Sequence, residues 1–419
     1  MTPARSAQPT HFDVIVIGGG ASGMIAAGRA GERRKSVLLL EKNARLGEKL
    51  RISGGGRCNI TSDEPDVRAF LKHYGSAEQF LYSTFSQFGV QDTFTFFEKL
   101  GLPLVVQEYK RVFPKTERAA DVSQSLEQYM KKAGVQCKTS SSVSRIVSDK
   151  SGITGIISGG RTYTADSYIL ATGGLSHPET GSTGDGFRWL SSLGHSVDSP
   201  TPGIVPLAVR ENWVKALSGV SIQSVKITFF VDTVKKFSKI GKILFTHFGI
   251  SGPLILNASG KVGELLHTGT VTALIDLYPS LDIGSLETKI ISIFDLNKNK
   301  IFKNVLDEIV PQGMAEVFLR LVPMIEAETK VHSISKEQRR DLVRILKSLP
   351  LTVTGLMGHE RSVVTDGGVP LSEIDTKTMR SECCKNLFVT GDLLNIIRPS
   401  GGYSLQLCWT TGLVAGSHC

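Results

Sequence analysis

No two cysteines in this chain are spaced Cys-x-x-Cys. The six, at positions 58, 137, 383, 384, 408 and 419, are scattered, as reduced thiols in a cytoplasm would be. The vicinal pair Cys383-Cys384 reads as two thiols in a loop before a strand rather than as a redox element. No His/Cys group has metal-ligand spacing, so no metal is expected. A Gly-x-Ser-x-Gly elbow is missing too, which argues against an α/β-hydrolase. Residues 1–11 hold no apolar stretch, so no secretory signal is expected. No apolar run approaches the roughly 18 residues that span a bilayer. Repeats and low-complexity tracts are also lacking. The expectation is a cytoplasmic globular protein with no membrane association.

With 419 residues, 41% hydrophobic and 21% charged, the composition is that of an ordinary globular chain, and its length calls for two or three domains. The formal net charge is +9. Much of the positive excess falls at Arg33, Arg34, Lys35, Lys42, Arg45, Lys49, Arg51 and Arg57. A bound dinucleotide would offset part of it. The rest is either a solvated face or an attraction for acidic substrate.

Those cations surround the most informative motif. An apolar run at residues 14–17 enters Gly18-x-Gly20-x-x-Gly23, and small residues suited to a helix follow. A second apolar run at 37–40 delivers Glu41. This is the dinucleotide-binding βαβ pattern with its context complete. Gly18 allows the turn, Gly20 lets backbone approach a pyrophosphate, and Gly23 lets helix and strand close up. The helix N-terminus offers free N–H groups to phosphate. An acid about 20 residues on accepts from an adenosine ribose, and an acid rather than arginine at 41 argues against NADP in this site.

Two further glycine-rich loops follow: Ser53-Gly54-Gly55-Gly56-Arg57-Cys58-Asn59, and the stretch 171–186, which begins Ala171-Thr172-Gly173-Gly174 and contains His177. Their backbones can lie against a ligand. Residues 66–100 read as helices whose Phe80, Phe85, Phe88, Phe94 and Phe97 form core. A hairpin is expected at 104–115, a helix at 119–133, and a β-meander from 143 to 163. Residues 200–280 turn β-rich, and 282–349 turn helical. Near the C-terminus an apolar strand ends in Gly391-Asp392, and a helix opens after Gly401-Gly402. An Asp at such a strand tip can accept from a polyol such as ribitol, and the helix would aim unpaired N–H groups beyond itself. The two ends of the sequence thus serve the two ends of one long ligand, and FAD fits that span better than NAD.

These motifs, with Arg111-Val-Phe-Pro114, Phe245-Thr-His247-Phe-Gly-Ile-Ser-Gly-Pro253 and Gly367-Gly-Val369, make the chain resemble the HI0933-like flavoprotein family over nearly its whole length. That family includes the bile-acid-pathway flavoprotein reductase and enzymes termed the aminoacetone oxidase family. The resemblance implies an α/β fold: an FAD-binding Rossmann-like domain of glutathione-reductase type, a β-barrel-like insert and a nested helical subdomain. The corresponding segments are 11–195 and 366–419 for the FAD domain, 196–281 and 350–365 for the β-rich insert, and 282–349 for the helical part. The implied FAD contacts are Gly18, Gly20, Ala21, Ser22, Gly23, Glu41, Lys42, Gly47, Ser53, Gly54, Gly55, Arg57, Cys58, Asn59, Thr172, Gly173, Gly391, Asp392, Gly401, Gly402 and Tyr403. Arg111, His177, His247 and Arg398 are candidates for the substrate pocket. This chain departs from the family pattern at Lys110, Asp392, Arg398 and Ser404.

The expected activity is hydride transfer between bound FAD and a small organic substrate, enone- or amine-like. Because a second GxGxxG is lacking, NAD(P)H as donor would dock directly on the flavin. One alternative is a tRNA-modifying flavoprotein, although no basic helical domain follows the closing helix. Another is a flavin-binding protein without turnover. No acid/base residue and no oligomeric state can be assigned from the sequence.

Overall fold

The computed structural model describes residues 10–419. The opening βαβ unit is β1 (Thr10–Ile17), α1 (Ala21–Glu32) and β2 (Val37–Leu40). Val14 to Ile17 pair in parallel with Val37 to Leu40, and all eight are buried. Strands covered on both faces require such unbroken apolar runs. The central sheet is completed by β3 (Gln136–Lys138), β4 (Arg161–Leu170) and β5 (Leu387–Val389). The parallel order is β5-β4-β1-β2-β3. The reversal between β1 and its two neighbours is a topological switch point, where a crevice opens beyond the strand tips. Antiparallel strands 374–375 and 380–381 extend the sheet past β5, and the meander Val143–Asp149/Gly152–Ser158 joins it at β4. The closing helix α2 (Tyr403–His418) lies beside α1, where Arg29 Nε donates to Ser417 Oγ at 2.9 Å.

The helices Val67–Leu71, Glu78–Gln87 and Val90–Lys99 bury Phe85, Phe88 and Phe97, with Phe94 half-buried. Phe80, expected in the core, is 46% exposed. It lies one residue before the buried Leu81, so the helical period turns it outward. The hairpin Leu104–Gln107/Arg111–Pro114 takes Thr61–Ser62 as a third strand.

Two units result. One carries this sheet, ending at Gly203 and resuming at Ser362; the other spans Ile204–Arg361. In the second, six strands close an antiparallel barrel in the order Leu207–Val209, Gly249–Ser251, Val234–Thr246, Ser221–Val231, Val271–Asp276, Leu349–Leu356. Ile222, Val225, Ile227, Phe229 and Val231 point inward. Before the last strand the chain leaves as the helices Ile283–Leu296, Ala315–Leu321 and Lys336–Lys347. Asp282 caps the first, and a Ser335/Gln338 capping box opens the last. Their apolar stripes (Leu286, Ile290, Phe294; Leu342, Val343, Leu346) join the barrel's core. Among the described residues no helix is long and apolar enough to cross a membrane.

Candidate cofactor site

At the tip of β1, a Cβ on Gly18 would overlap the Ala171 carbonyl, and one on Gly23 would overlap the Gly18 carbonyl. Protein packing therefore requires glycine at both. Gly20 differs. Its φ of −83° suits any residue, and a Cβ there would meet no protein atom within 4 Å. That open space lies against the start of α1, which has no side-chain cap. A helix N-terminus with free N–H groups and room for a ligand is where a pyrophosphate sits.

Glu41 Oε2 accepts from Gly19 N at 2.7 Å and Oε1 from Asn43 N at 2.8 Å, so the buried carboxylate ties the tip of β2 to the glycine turn. Lys42 Nζ donates to Thr183 Oγ1 at 2.6 Å and to Asp185 Oδ2 at 3.1 Å. Burial pushes the Asp185 carboxyl up, but hydrogen bonds from Thr183 and Lys42 outweigh it and hold its pKa below the usual value. Asn43 Nδ2 donates to Thr180 O at 2.9 Å. Lys42 and Asn43 thus latch the loop after β2 to the second glycine-rich loop, which follows Thr172 and Gly173 at the tip of β4. Thr390 Oγ1 donates to Ser22 Oγ at 3.2 Å, and Gly391 N to Thr411 Oγ1 at 3.1 Å. These bonds join the first turn of α1, which begins at Ala21, to β5 and α2.

The next loop also folds back on the crevice. Gly47 N donates to Gly19 O at 2.9 Å and Gly47 heads the helix Glu48–Ile52. Gly54 and Gly55 turn left-handed just beyond, and Ser53 Oγ donates to Leu50 O at 2.7 Å. Cys58 is fully buried with φ +61°. Burial pushes its thiol up to about 12, against the Ser53 hydrogen bond, which leaves it an inert packing group. Asn59 Oδ1 accepts from Val112 N at 3.2 Å. The Arg57 guanidinium lies 4.1 Å over the Phe113 ring, bonds Gln107 and, at 3.3 Å, Glu117, and leaves Nε buried without a partner. The hairpin, rather than open crevice, holds most of Arg57. Arg111 sits 6.0 Å from the Tyr109 ring centroid.

Beyond β5, Asp392 is buried against Arg398, whose Nη2 donates to Asp392 Oδ1, Nη1 to Ile396 O and Nε to Ser404 Oγ at 3.3 Å. Gly402 has φ +105° and abuts the Thr61 backbone, so α2 begins against that strand with no side-chain cap. Tyr403 packs beside Phe70 with centroids 4.7 Å apart, and Gly401 precedes it in an open left-handed turn. His177 Nδ1 lies 2.8 Å from Glu179 Oε1 in its own loop. His247 belongs to the barrel unit, edge-on to Phe248 at 4.9 Å.

Two residues here escaped the sequence reading. Lys49 Nζ donates to Ser176 Oγ at 3.0 Å; burial lowers its pKa, with Asp392 pulling the other way. Asp366 has a buried Oδ1 without a partner, and burial raises its carboxyl pKa against the pull of Arg398. Lys49 gave only the signal of one lysine in a basic run, and Asp366 only its place before Gly367-Gly368. A separate group, His195, Glu373 and Cys383, offers ligand-type atoms within 4.8 Å of one another. His195 Nδ1, however, is 2.8 Å from Glu373 Oε2, and Nε2 is 2.7 Å from Ser381 Oγ. An ion bonded to both at about 2 Å would need them more than about 3 Å apart, so this is a hydrogen-bonded clip.

A parallel sheet with a glycine turn, an acid on β2 and an uncapped helix at the crevice defines a dinucleotide-binding α/β protein of the flavoenzyme kind. The chain belongs to the HI0933-like family: the HI0933-like protein Rossmann domain matches residues 12–418. It is 28% identical to the 3-dehydro-bile acid delta(4,6)-reductase of Clostridium scindens over 404 residues, 96% of this chain and 97% of that protein. It is also 28% identical to the ribosomal RNA dihydrouridine synthase of Escherichia coli, over 96% of each. The fold resembles that of 3-ketosteroid delta1-dehydrogenase from Sterolibacterium denitrificans, with a TM-score of 0.53 and 12% identity across 98% of this chain and 99% of that one. The protein is an FAD-dependent oxidoreductase.

Proposed function

We propose that this enzyme reduces a carbon–carbon double bond conjugated to a carbonyl, in a small organic molecule, with NAD(P)H docking directly on the flavin. The open, protein-free space over Gly20 at the start of α1 carries the cofactor part of this reading. Gly18 to Gly23, with Ala21 and Ser22 on the first turn, would receive the pyrophosphate, Glu41 the adenosine ribose, and Asp392 the ribitol. Gly47, Ser53 to Gly55, Arg57 to Asn59, Thr172 and Gly173 would line the same cofactor, with Lys42 steadying the loops around it. The uncapped start of α2 at Gly401 to Tyr403 would stabilise negative charge at one edge of the isoalloxazine. Bound FAD supplies the hydride chemistry. Asp366, favoured in its neutral form by burial, is the protein's candidate for holding a proton at Oδ1.

The substrate class is supported by two relatives whose names share one chemistry. A bile-acid Δ4,6 reductase and a dihydrouridine synthase both saturate a double bond conjugated to a carbonyl. The second relative favours a second reading, in which the substrate is a uracil ring in RNA. Arg111 and His177, both in the unit that carries the sheet, are the pocket candidates there; His247 belongs to the barrel unit, and the buried Arg398 is committed to Asp392. The test is anaerobic: NADH or NADPH is added to the purified yellow protein, then an enone such as a Δ4-3-ketosteroid, or a uridine-containing RNA. Bleaching by the nucleotide and recolouring by the enone is the expected result. Recolouring by RNA alone would establish the second reading, and no bleaching by either nucleotide would remove NAD(P)H as donor.

A further inference from the structure

The barrel's longest hairpin, Ser221–Val231 and Val234–Thr246, carries five lysines (226, 235, 236, 239 and 242) against one acid, Asp232. Its local net charge of +4 is a large share of the chain's +9. Asp232 is engaged at the turn, accepting from Thr270 N at 3.2 Å. None of the five lysines forms an ion pair with another described residue. Exposed lysines elsewhere, such as Lys110 and Lys303, do have acidic partners.

Register shows how the charges are laid out. Lys226 faces Ile240 across the pair, Thr228 faces Ser238, and Phe230 faces Lys235, all outward of the buried Val225, Ile227 and Phe229. Lys235, Lys236 and Lys239 are exposed. Residues 234–243 have a strand partner on one side only, because the next strand pairs just with Leu244 to Thr246. Lys235 to Lys242 span seven residues, about 23 Å at the usual strand rise. Half-buried Phe230 lies on this outward face opposite Lys235, whereas Phe237 stacks on the buried Phe229 at 4.8 Å with Lys261 Nζ 4.7 Å over its ring. Lys239, paired with the buried Ile227, leaves the same free edge on the other side.

We propose that this hairpin face is a docking surface for RNA, holding its phosphate backbone on the lysines. A line of cations without ion-pair partners over that length matches a linear polyanion better than a point ligand. An anionic membrane would call for an apolar face apart from the basic one. Here the exposed apolar residues, Val234 and Ile240, alternate with the lysines. The proposal stands whether or not the substrate at the flavin is RNA, and its test reads binding rather than turnover.

A fluorescein-labelled stem-loop RNA is titrated with the flavin-loaded protein at several salt concentrations, and vesicles of phosphatidylglycerol in phosphatidylcholine are titrated in parallel. The variant K235E/K236E/K239E is compared with K131E/K132E/K150E, which changes net charge equally at exposed lysines of the other unit. The expected result is RNA binding that the hairpin variant weakens at least about tenfold, with the log–log salt slope reduced by about 2, while the control changes little. K235Q/K236Q/K239Q should fall between them, which keeps the result readable if charge reversal harms folding. Equal loss in hairpin and control variants, no RNA binding by the unaltered protein, or binding to vesicles in place of RNA would overturn the proposal.

Discussion

Arg398 donates to Asp392 inside the fold, with the two side chains 0% and 10% exposed. The arginine also serves the Ile396 carbonyl and the Ser404 hydroxyl, so one guanidinium organises the turn between β5 and α2. Arg398→Met would leave a buried carboxylate without its partner, at a cost of about 3–5 kcal/mol. Pairing it with Asp392→Asn should recover much of that, because the uncompensated charge is gone. Urea denaturation of the apoprotein measures both. A wild-type midpoint for Arg398→Met alone would mean that water reaches Asp392.

Gly20 and Gly23 separate cofactor binding from folding. A methyl at Gly23 meets the Gly18 carbonyl, and overpacking of that kind costs about 1–3 kcal/mol or more. A methyl at Gly20 meets nothing in the protein, so Gly20→Ala should leave apoprotein stability within about 0.5 kcal/mol. FAD affinity should nonetheless fall at least about tenfold, one pyrophosphate contact being worth over about 1.4 kcal/mol. Reconstitution followed by flavin fluorescence reads the second effect and thermal unfolding the first. Gly20→Ala protein that takes up FAD normally would place the pyrophosphate elsewhere.

The β1-α1-β2 unit was legible because its signals are local. A buried parallel strand needs an unbroken apolar run, and a tight turn needs glycine at fixed spacing. The barrel and its helical excursion were legible as a change of hydrophobic period from two to about 3.6. What stayed hidden were partnerships set by sheet order. His195 meets Glu373 178 positions away, and Lys49 meets Ser176 127 positions away. Nor did anything in the sequence signal that Arg57, beside three glycines, would engage Gln107, Phe113 and Glu117. Phe80 is exposed because Leu81, the next residue on the same helix, takes the buried face.

Asp366 gives a pH dependence of definite sign. Burial raises its pKa above the unfolded value of about 3.9. Between that value and the raised one, the folded state binds more protons than the unfolded state, so this group's contribution to stability falls as pH rises through the window. Above the window the apoprotein carries the whole cost of the buried charge. Asp366→Asn should therefore be more stable than the unaltered protein at pH above the window, and the advantage should vanish in acid below it. Urea midpoints on both sides of the window measure it. An advantage that is the same in acid would mean packing, not charge, separates the two side chains.

Cys58 tests whether the glycine-rich loop is as closed in solution as its geometry implies. Its thiol is fully buried and pushed up to about 12; that of the half-buried Cys408 is pushed up to about 12 as well, by burial joined by Asp392. At pH 8 only about one such thiol in ten thousand is ionised. Cys137 and Cys383 are exposed. Iodoacetamide should thus modify Cys137 and Cys383 in the native apoprotein and spare Cys58 and Cys408 until the chain unfolds, with peptide mass spectrometry assigning the sites. Cys58 reacting as fast as Cys383 would require the residues around Gly54 and Gly55 to swing open. Their left-handed turns would then serve motion of the loop rather than close approach to a ligand.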